Sequence, residues 1–244
     1  MNVSLYQAAA AMNANTRWQE IITQNLNSGS TTAYKKQDIS FAAIQAGHSL
    51  SQTGGAAFMP RATASTNFGQ GDVTPTGNAT DFAIDGSGFV EIEFPNGTRA
   101  YTRGGGFRLN TDGDLVTAQG YTIMGDRGPI RLNPKDQSFT VDPDGQVRQG
   151  GETKGQINLV EFNHPRLLTP IGAGTFLANN PALVQSPAAD ATLLQGSVEG
   201  SNASALVEMA NLVTSMRHFE ANQRVLTSED ERMGRVINAL GSPT

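Results

Sequence analysis

Apolar residues recur in alternating steps of four and three along the last stretch of the chain, Asn202 to Leu240. From Ala205 they fall at Met209, Leu212, Met216, Phe219, Leu226, Met233, Ile237 and Leu240, and only Gln223 and Asp230 interrupt them. That heptad seam predicts a helix lying along another helix. Glu220–Arg224 and Glu231–Arg235 add favourable i, i+4 pairs on its outer side. Asn202 is the expected N-cap, Gly241 the expected C′ residue, and Pro243 stops continuation. At about 1.5 Å per residue the helix would be roughly 58 Å long. A seam of that length needs a partner of comparable length.

One candidate lies at the other end of the chain. Residues Ser4 to Leu26 predict a helix, with Leu5, Ala8, Met12, Ile22 and Leu26 on one stripe and Asn15 and Gln19 as polar breaks. Ala11, Ala14, Trp18 and Ile21 form an adjoining stripe, slim enough for close approach by another helix. Small residues from Asn27 to Thr32 end the helix. From residue 33 to 77 the pattern fades into Ser, Thr, Gln, Gly and Ala, with breaks at Gly54-Gly55 and Pro60. This reads as an extended connecting segment with room for a short hairpin.

Residues 78 to 200 switch to period-two alternation. Phe89-Val90-Glu91-Ile92-Glu93-Phe94 and Gln156-Ile157-Asn158-Leu159-Val160-Glu161-Phe162 predict strands, and shorter runs at Phe107, Leu115, Tyr121 and Ser138-Phe139-Thr140-Val141 repeat the pattern. Asn96-Gly97, Asp112-Gly113 and Asp144-Gly145 punctuate them, and the first reads as a two-residue hairpin turn. The expected fold is therefore α+β. Residues 1–32 and 201–244 form a helical polymerisation domain whose helices pair as a coiled coil, 33–77 connect, and 78–200 form an antiparallel all-β domain of sandwich or barrel type.

Composition supports the β reading, since only 16 % of residues are charged while 27 of 244 are glycine. A net charge of −5 offers no basic excess for nucleic acid. No apolar run is long enough to insert in a membrane. Met1–Ala14 has neither a basic start nor a solid apolar core, so no secretory signal is expected. With no cysteine in the chain, disulfide and thiol chemistry are excluded.

Nothing points to catalysis, a cofactor or a metal. His48, His164 and His218 are scattered without ligand spacing, and His218 beside Phe219 reads as a packed or solvated side chain. Asp112-Gly113-Asp114 and Asp142-Pro143-Asp144-Gly145 lack the twelve-residue loop and closing Glu of a calcium hand, so turns explain both. Gly104-Gly105-Gly106 precedes a strand-like run and not a helix, which removes the dipole a phosphate cradle would use.

Three stretches share a family likeness. Asn25-Leu26-Asn27-Ser28-Gly29-Ser30-Thr31-Thr32-Ala33-Tyr34-Lys35-Lys36 resembles the Asn-Leu-Ala-Asn-x-x-Thr-x-Gly-Phe/Tyr-Lys signature of the bacterial flagellar rod and hook proteins. Ser28 replaces its second Asn and Ala33 its Gly. If that position takes positive φ, Ala33 carries a penalty of about 1 kcal/mol. Asp81-Phe82-Ala83-Ile84-Asp85-Gly86-Ser87-Gly88-Phe89 matches the family's central motif, followed by Tyr101-Thr102-Arg103, Gly105 and Phe107. Glu199, Ser201 and Asn202 precede the last helix as in the family. Met124-Gly125-Asp126-Arg127-Gly128-Pro129-Ile130 and Arg217-His218-Phe219-Glu220 are similar to the proximal-rod member, with the distal-rod member as the second reading.

The resemblance implies a structural subunit and no enzyme. Its terminal helices would polymerise into a hollow drive-shaft, with other rod and hook-family subunits and the flagellar export machinery as partners. It implies a basal-body, periplasmic location reached through type III export without a cleaved signal. Two rival readings remain: a β-rich adhesion or binding module, which would need an exposed aromatic platform although the only tryptophan is Trp18, and an enzyme of unfamiliar type.

Overall fold

The structure, a computed structural model, describes residues 3–45, 58–134 and 139–241. His48, Gly54-Gly55, Ser138 and Pro243 lie outside the described residues, as do the side chains of Leu5 and Leu240. Two compact units form. One collects residues 1–27, 37–66 and 204–244, and the other residues 28–36 and 67–203.

In the first unit, helix α1 spans Val3–Asn27 and helix α2 spans Ala205–Gly241. Between them in sequence, β1 (Gln37–Gln45) and β2 (Phe58–Thr66) pair antiparallel over their full length, from Gln37 opposite Thr66 to Gln45 opposite Phe58. The segment read as a connection with room for a short hairpin thus contributes two nine-residue strands. Both stripes of α1 are covered: Ile21 and Ile22 are buried, and so are Ala8 and Ala14. The small side chains allow α1 to take both α2 and β2 as neighbours. Asn25 joins helix to hairpin. Its amide donates to the Gln37 carbonyl and accepts from the Gln37 N–H, each at 2.9 Å, satisfying both backbone groups where β1 begins.

The start of α2 differs from the sequence expectation. The helix begins at Ala205, so Ser204 takes the cap position and its carbonyl accepts from the Glu208 N–H at 2.9 Å. Asn202 is engaged elsewhere. Glu208, buried in the first turn, places a carboxylate at the positive end of the helix dipole.

The second unit is built from short antiparallel strands: β3 (Val73–Pro75), β4 (Phe82–Asp85), β5 (Phe89–Glu93), β6 (Arg99–Thr102), β7 (Phe107–Leu109), β8 (Leu115–Thr117), β9 (Thr122–Gly125) and β10 (Gly128–Pro129). Then come β11 (Phe139–Val141), β12 (Gln146–Gln149), β13 (Glu152–Gln156), β14 (Leu159–Phe162), β15 (Thr169–Gly172), β16 (Thr175–Leu177), β17 (Gln185–Pro187), β18 (Thr192–Gln195) and β19 (Ser197–Glu199). The main sheet runs β15-β16-β6-β5-β9-β8-β7, with β14 also on β5. Smaller sheets pair β11-β12-β13, β4 with β18 and β3 with β19. Phe82, Ile84, Ile92, Leu115, Ile123 and Leu193 are among the buried residues of the main core. A second cluster gathers Phe89, Tyr101, Phe162 and Phe176, with Phe68 packed against it.

Four tight turns share one construction. In each, the residue before the loop both donates its N–H to the residue after it and accepts from the loop's last glycine. The loops are Pro95-Asn96-Gly97, Thr111-Asp112-Gly113, Ala118-Gln119-Gly120 and Pro143-Asp144-Gly145. The four glycines have φ between 79° and 90°. Asn96-Gly97 therefore belongs to a three-residue loop and not a two-residue turn. Pro95 pre-sets the helical φ of the first loop position, and the glycine supplies the left-handed third.

Candidate functional site: a helical seam and a buried charge junction

On α2 the buried and half-buried side chains include Glu208, Leu212, Ser215, Phe219, Asn222, Leu226 and Glu229, with Asn211 beside them. Their spacing is again four and three. This covered seam shares Leu212, Phe219 and Leu226 with the apolar seam read from sequence, but its alternate positions are polar. The methionines at those alternate sequence positions point away: Met209 and Met216 are 55 % and 50 % exposed. Met233 and Ile237 are exposed too, as are Leu206 and Val213. On α1, Ile22 is buried while Met12 and Leu26 are half-buried. His218 rests its ring 6.1 Å from Trp18, whose other neighbour is Phe41 at 5.7 Å.

The second unit holds a different arrangement. Three chain segments meet side by side: residues 33–36, 67–71 and 199–202. Ala33 N–H donates to the Glu199 carbonyl at 2.8 Å, Asn67 N–H to the Lys36 carbonyl at 2.9 Å, and Asn202 N–H to the Tyr34 carbonyl at 3.3 Å. The Asn202 side chain ties all three. Its oxygen accepts from Lys36 N–H at 2.7 Å, and its amide donates to the carbonyls of Asn67 and Gly69 at 2.9 Å each.

At the centre sits Glu199, whose side chain is 0 % exposed. Oε1 accepts from Lys35 Nζ at 2.6 Å and from Gly71 N–H at 2.9 Å, and Oε2 accepts from Arg103 Nε at 3.1 Å. Lys35 Nζ also donates to the Gly69 carbonyl at 2.9 Å. Arg103 reaches onward to the carbonyls of Gly88 at 2.8 Å and Gly86 at 3.0 Å, and its guanidinium lies 5.9 Å from the Phe89 ring centre. Carbonyl oxygens thus supply the acceptors that one carboxylate cannot give to two buried cations. Burial pushes the Lys35 ammonium below the ordinary lysine value. Its hydrogen bond to Glu199 opposes that shift, and Arg103 nearby reinforces it.

Residues from all three sequence motifs converge here. Gly86 and Gly88 leave room for the segment at Asp190 and Ala191, since a Cβ on Gly86 would lie 2.8 Å from the Asp190 carbonyl oxygen. Gly105 runs against Phe82, where a Cβ would sit 1.6 Å from the carbonyl oxygen. Phe107 fills the main core, and Tyr101 donates its hydroxyl to Gln185 at 2.8 Å. The Thr31 carbonyl closes a turn on the Tyr34 N–H, and Ser201 Oγ accepts from Ala203 N–H. Asn25 acts in the other unit, on Gln37. Ala33 adopts φ of 54° and is fully buried, so alanine occupies a left-handed position that favours glycine. Sequence reasoning missed the contribution of Gly69 and Gly71, which lie in the weakly patterned stretch. It also gave Lys35 no role.

The geometry is that of a scaffold held by buried charge and backbone hydrogen bonds. Among the described residues no group of three or more His, Asp or Glu side chains could hold a metal ion. Residues 83–149 match the family described as flagellar hook protein FlgE/F/G D1 domain, and residues 194–239 match flagellar basal body rod FlgEFG protein C-terminal. The chain is 30 % identical to flagellar basal-body rod protein FlgF of Caulobacter vibrioides, over 99 % of both chains. The chain belongs to the flagellar basal-body rod protein family. It is 29 % identical to FlgF of Mesorhizobium japonicum over 99 % of both chains. It is 30 % identical to the rod protein FlgG of Borreliella burgdorferi, over 96 % of this chain and 97 % of that one. The rod protein is accordingly a structural subunit of the flagellar basal body and not an enzyme, and its family membership implies contact with other axial subunits. No described helix is long and apolar enough to cross a membrane.

Proposed function

We propose that the chain is a proximal-rod subunit that self-associates through α1 and α2, the two helices pairing as a coiled coil along the hollow drive-shaft. One observation carries this reading. The side of α2 bearing Leu206, Met209, Val213 and Met216 is at least half exposed at every one of these residues, although the adjoining face through Leu212 and Phe219 is already covered. Their spacing of three, four and three makes one continuous stripe. Leaving such side chains half in water forgoes roughly half of the ~1.5–3 kcal/mol that full burial of each supplies, which contacts with neighbouring subunits recover. Gly234 fits the same picture, because a Cβ there would meet nothing of its own chain within 4 Å, leaving space for another backbone. Gln223 and Asp230, both exposed, then meet polar groups of adjacent helices and set register.

The proximal assignment rests on the likeness of residues 124–130 and 217–220 to the proximal-rod member, and chain length accompanies it. The two FlgF relatives align over 244 residues covering 99 % of each chain, whereas the FlgG relative needs a 262-residue alignment. The distal rod is the second reading, favoured by an equal 30 % identity to that FlgG. On either reading the subunit reaches the periplasm through the flagellar export machinery without a cleaved signal. Labelling the tagged chain on purified basal bodies tests the assignment. Label confined to the inner end of the rod is expected, and label at the hook-proximal end would move it to the distal rod.

A further inference from the structure

Lys35 is the anomaly of the charge junction. Arg103 alone would neutralise Glu199, and it already closes the loop bearing Gly86 and Gly88. Lys35 brings a second positive charge into a place where its side chain is 0 % exposed. A neutral residue with the same stem would avoid that desolvation. Buried ionic groups that cost stability are retained in other proteins where they fix alignment.

Residues 33–36 need such a device. The segment runs between 67–71 and 199–202, with backbone bonds from Ala33 to Glu199, Asn202 to Tyr34 and Asn67 to Lys36, and an extended segment can slip along its neighbours. A slip of two residues would set Ala33 or Gln37 opposite Glu199 and leave the carboxylate without its ammonium. A slip of one would bring Lys36 to Glu199. It would also force Tyr34 into the fully buried, positive-φ position that Ala33 fills, and the opposite slip of one would bring Tyr34 to Glu199 and Thr32 into that position. Lys35 and Ala33 together therefore admit one alignment.

We propose that Lys35 is a register pin: its ammonium holds the 33–36 segment in a single alignment against Glu199, at a net cost to the stability of the β unit. This inference does not depend on the rod position assigned above.

The test is Lys35→Met in the full chain, read by thermal melting and by amide hydrogen exchange. The melting midpoint is expected to stay level or rise, since a balanced Arg103–Glu199 pair remains. Exchange at Ala33, Asn67 and Asn202 is expected to quicken by about tenfold or more while Val90 and Ile123 keep their protection. A midpoint lowered by more than about 2 °C, or a chain that does not fold, would make Lys35 a net stabiliser and overturn the proposal. An unchanged midpoint with unchanged protection at the three amides would overturn it as well.

Discussion

Replacing Glu199 with Gln removes one negative charge and almost no volume, so no cavity complicates the result. The carboxylate receives three hydrogen bonds, from Lys35 Nζ, Arg103 Nε and Gly71 N–H. A glutamine oxygen can accept from one side, but its NH2 faces a donor on the other. Two buried cations then have no counter-charge. Removing one partner of a buried pair costs about 3–5 kcal/mol. For a chain of this size that corresponds to a drop in melting midpoint of roughly 6–20 °C. Lys35 offers an escape, because its ammonium already loses its proton below the ordinary lysine value. The deficit of Glu199→Gln against wild type should therefore shrink as pH rises toward that value, where the neutral amine no longer needs a counter-ion. Calorimetry of both proteins across pH 7 to 10 measures both effects. A loss below about 1 kcal/mol at pH 7, or a deficit that grows with pH, would refute the reasoning.

Ala33→Gly relieves about 1–2 kcal/mol of left-handed strain. It gives up about 0.8 kcal/mol of methyl burial and about 0.4–1 kcal/mol through the freer unfolded chain. The terms nearly cancel, so denaturant unfolding should place it within about 1 kcal/mol of wild type; a loss above about 2 kcal/mol would show that φ is not the constraint there. Arg131 beside Asp114 holds the carboxyl below the ordinary aspartate value of 3.8. A depressed folded-state value means stability that is present above 3.8 and lost as pH falls through the lower value. Asp114→Asn should flatten that part of the acid-unfolding curve, and an unchanged slope would argue against the pair.

Much of this architecture was legible because it rests on local pattern. Helices α1 and α2 follow apolar spacing, and the β unit follows short alternating runs with glycine-closed turns. The β1–β2 hairpin was legible only as room for a short hairpin, since Gln37–Gln45 and Phe58–Thr66 mix small and polar residues without clear alternation, and cross-strand pairing defines their length. The covered seam of α2 escaped for a related reason: its alternate positions are Glu208, Ser215, Asn222 and Glu229, and a search for apolar repeats selects the exposed methionines instead. The charge junction joins Lys35 to a residue 164 positions away, so composition could supply its parts but not their meeting. The likeness to rod and hook proteins did locate most of those parts, because Lys35, Arg103, Glu199 and Asn202 lie in the three motifs.

The account rests on α2 carrying a stripe reserved for neighbouring subunits, and Met209→Glu with Met216→Glu tests that directly. Both side chains are at least 50 % exposed, so the purified double variant should melt with the wild-type protein. Basal bodies isolated from cells that express it as their only copy should lack the subunit. Incorporation at the wild-type level would contradict assembly through this face of the helix.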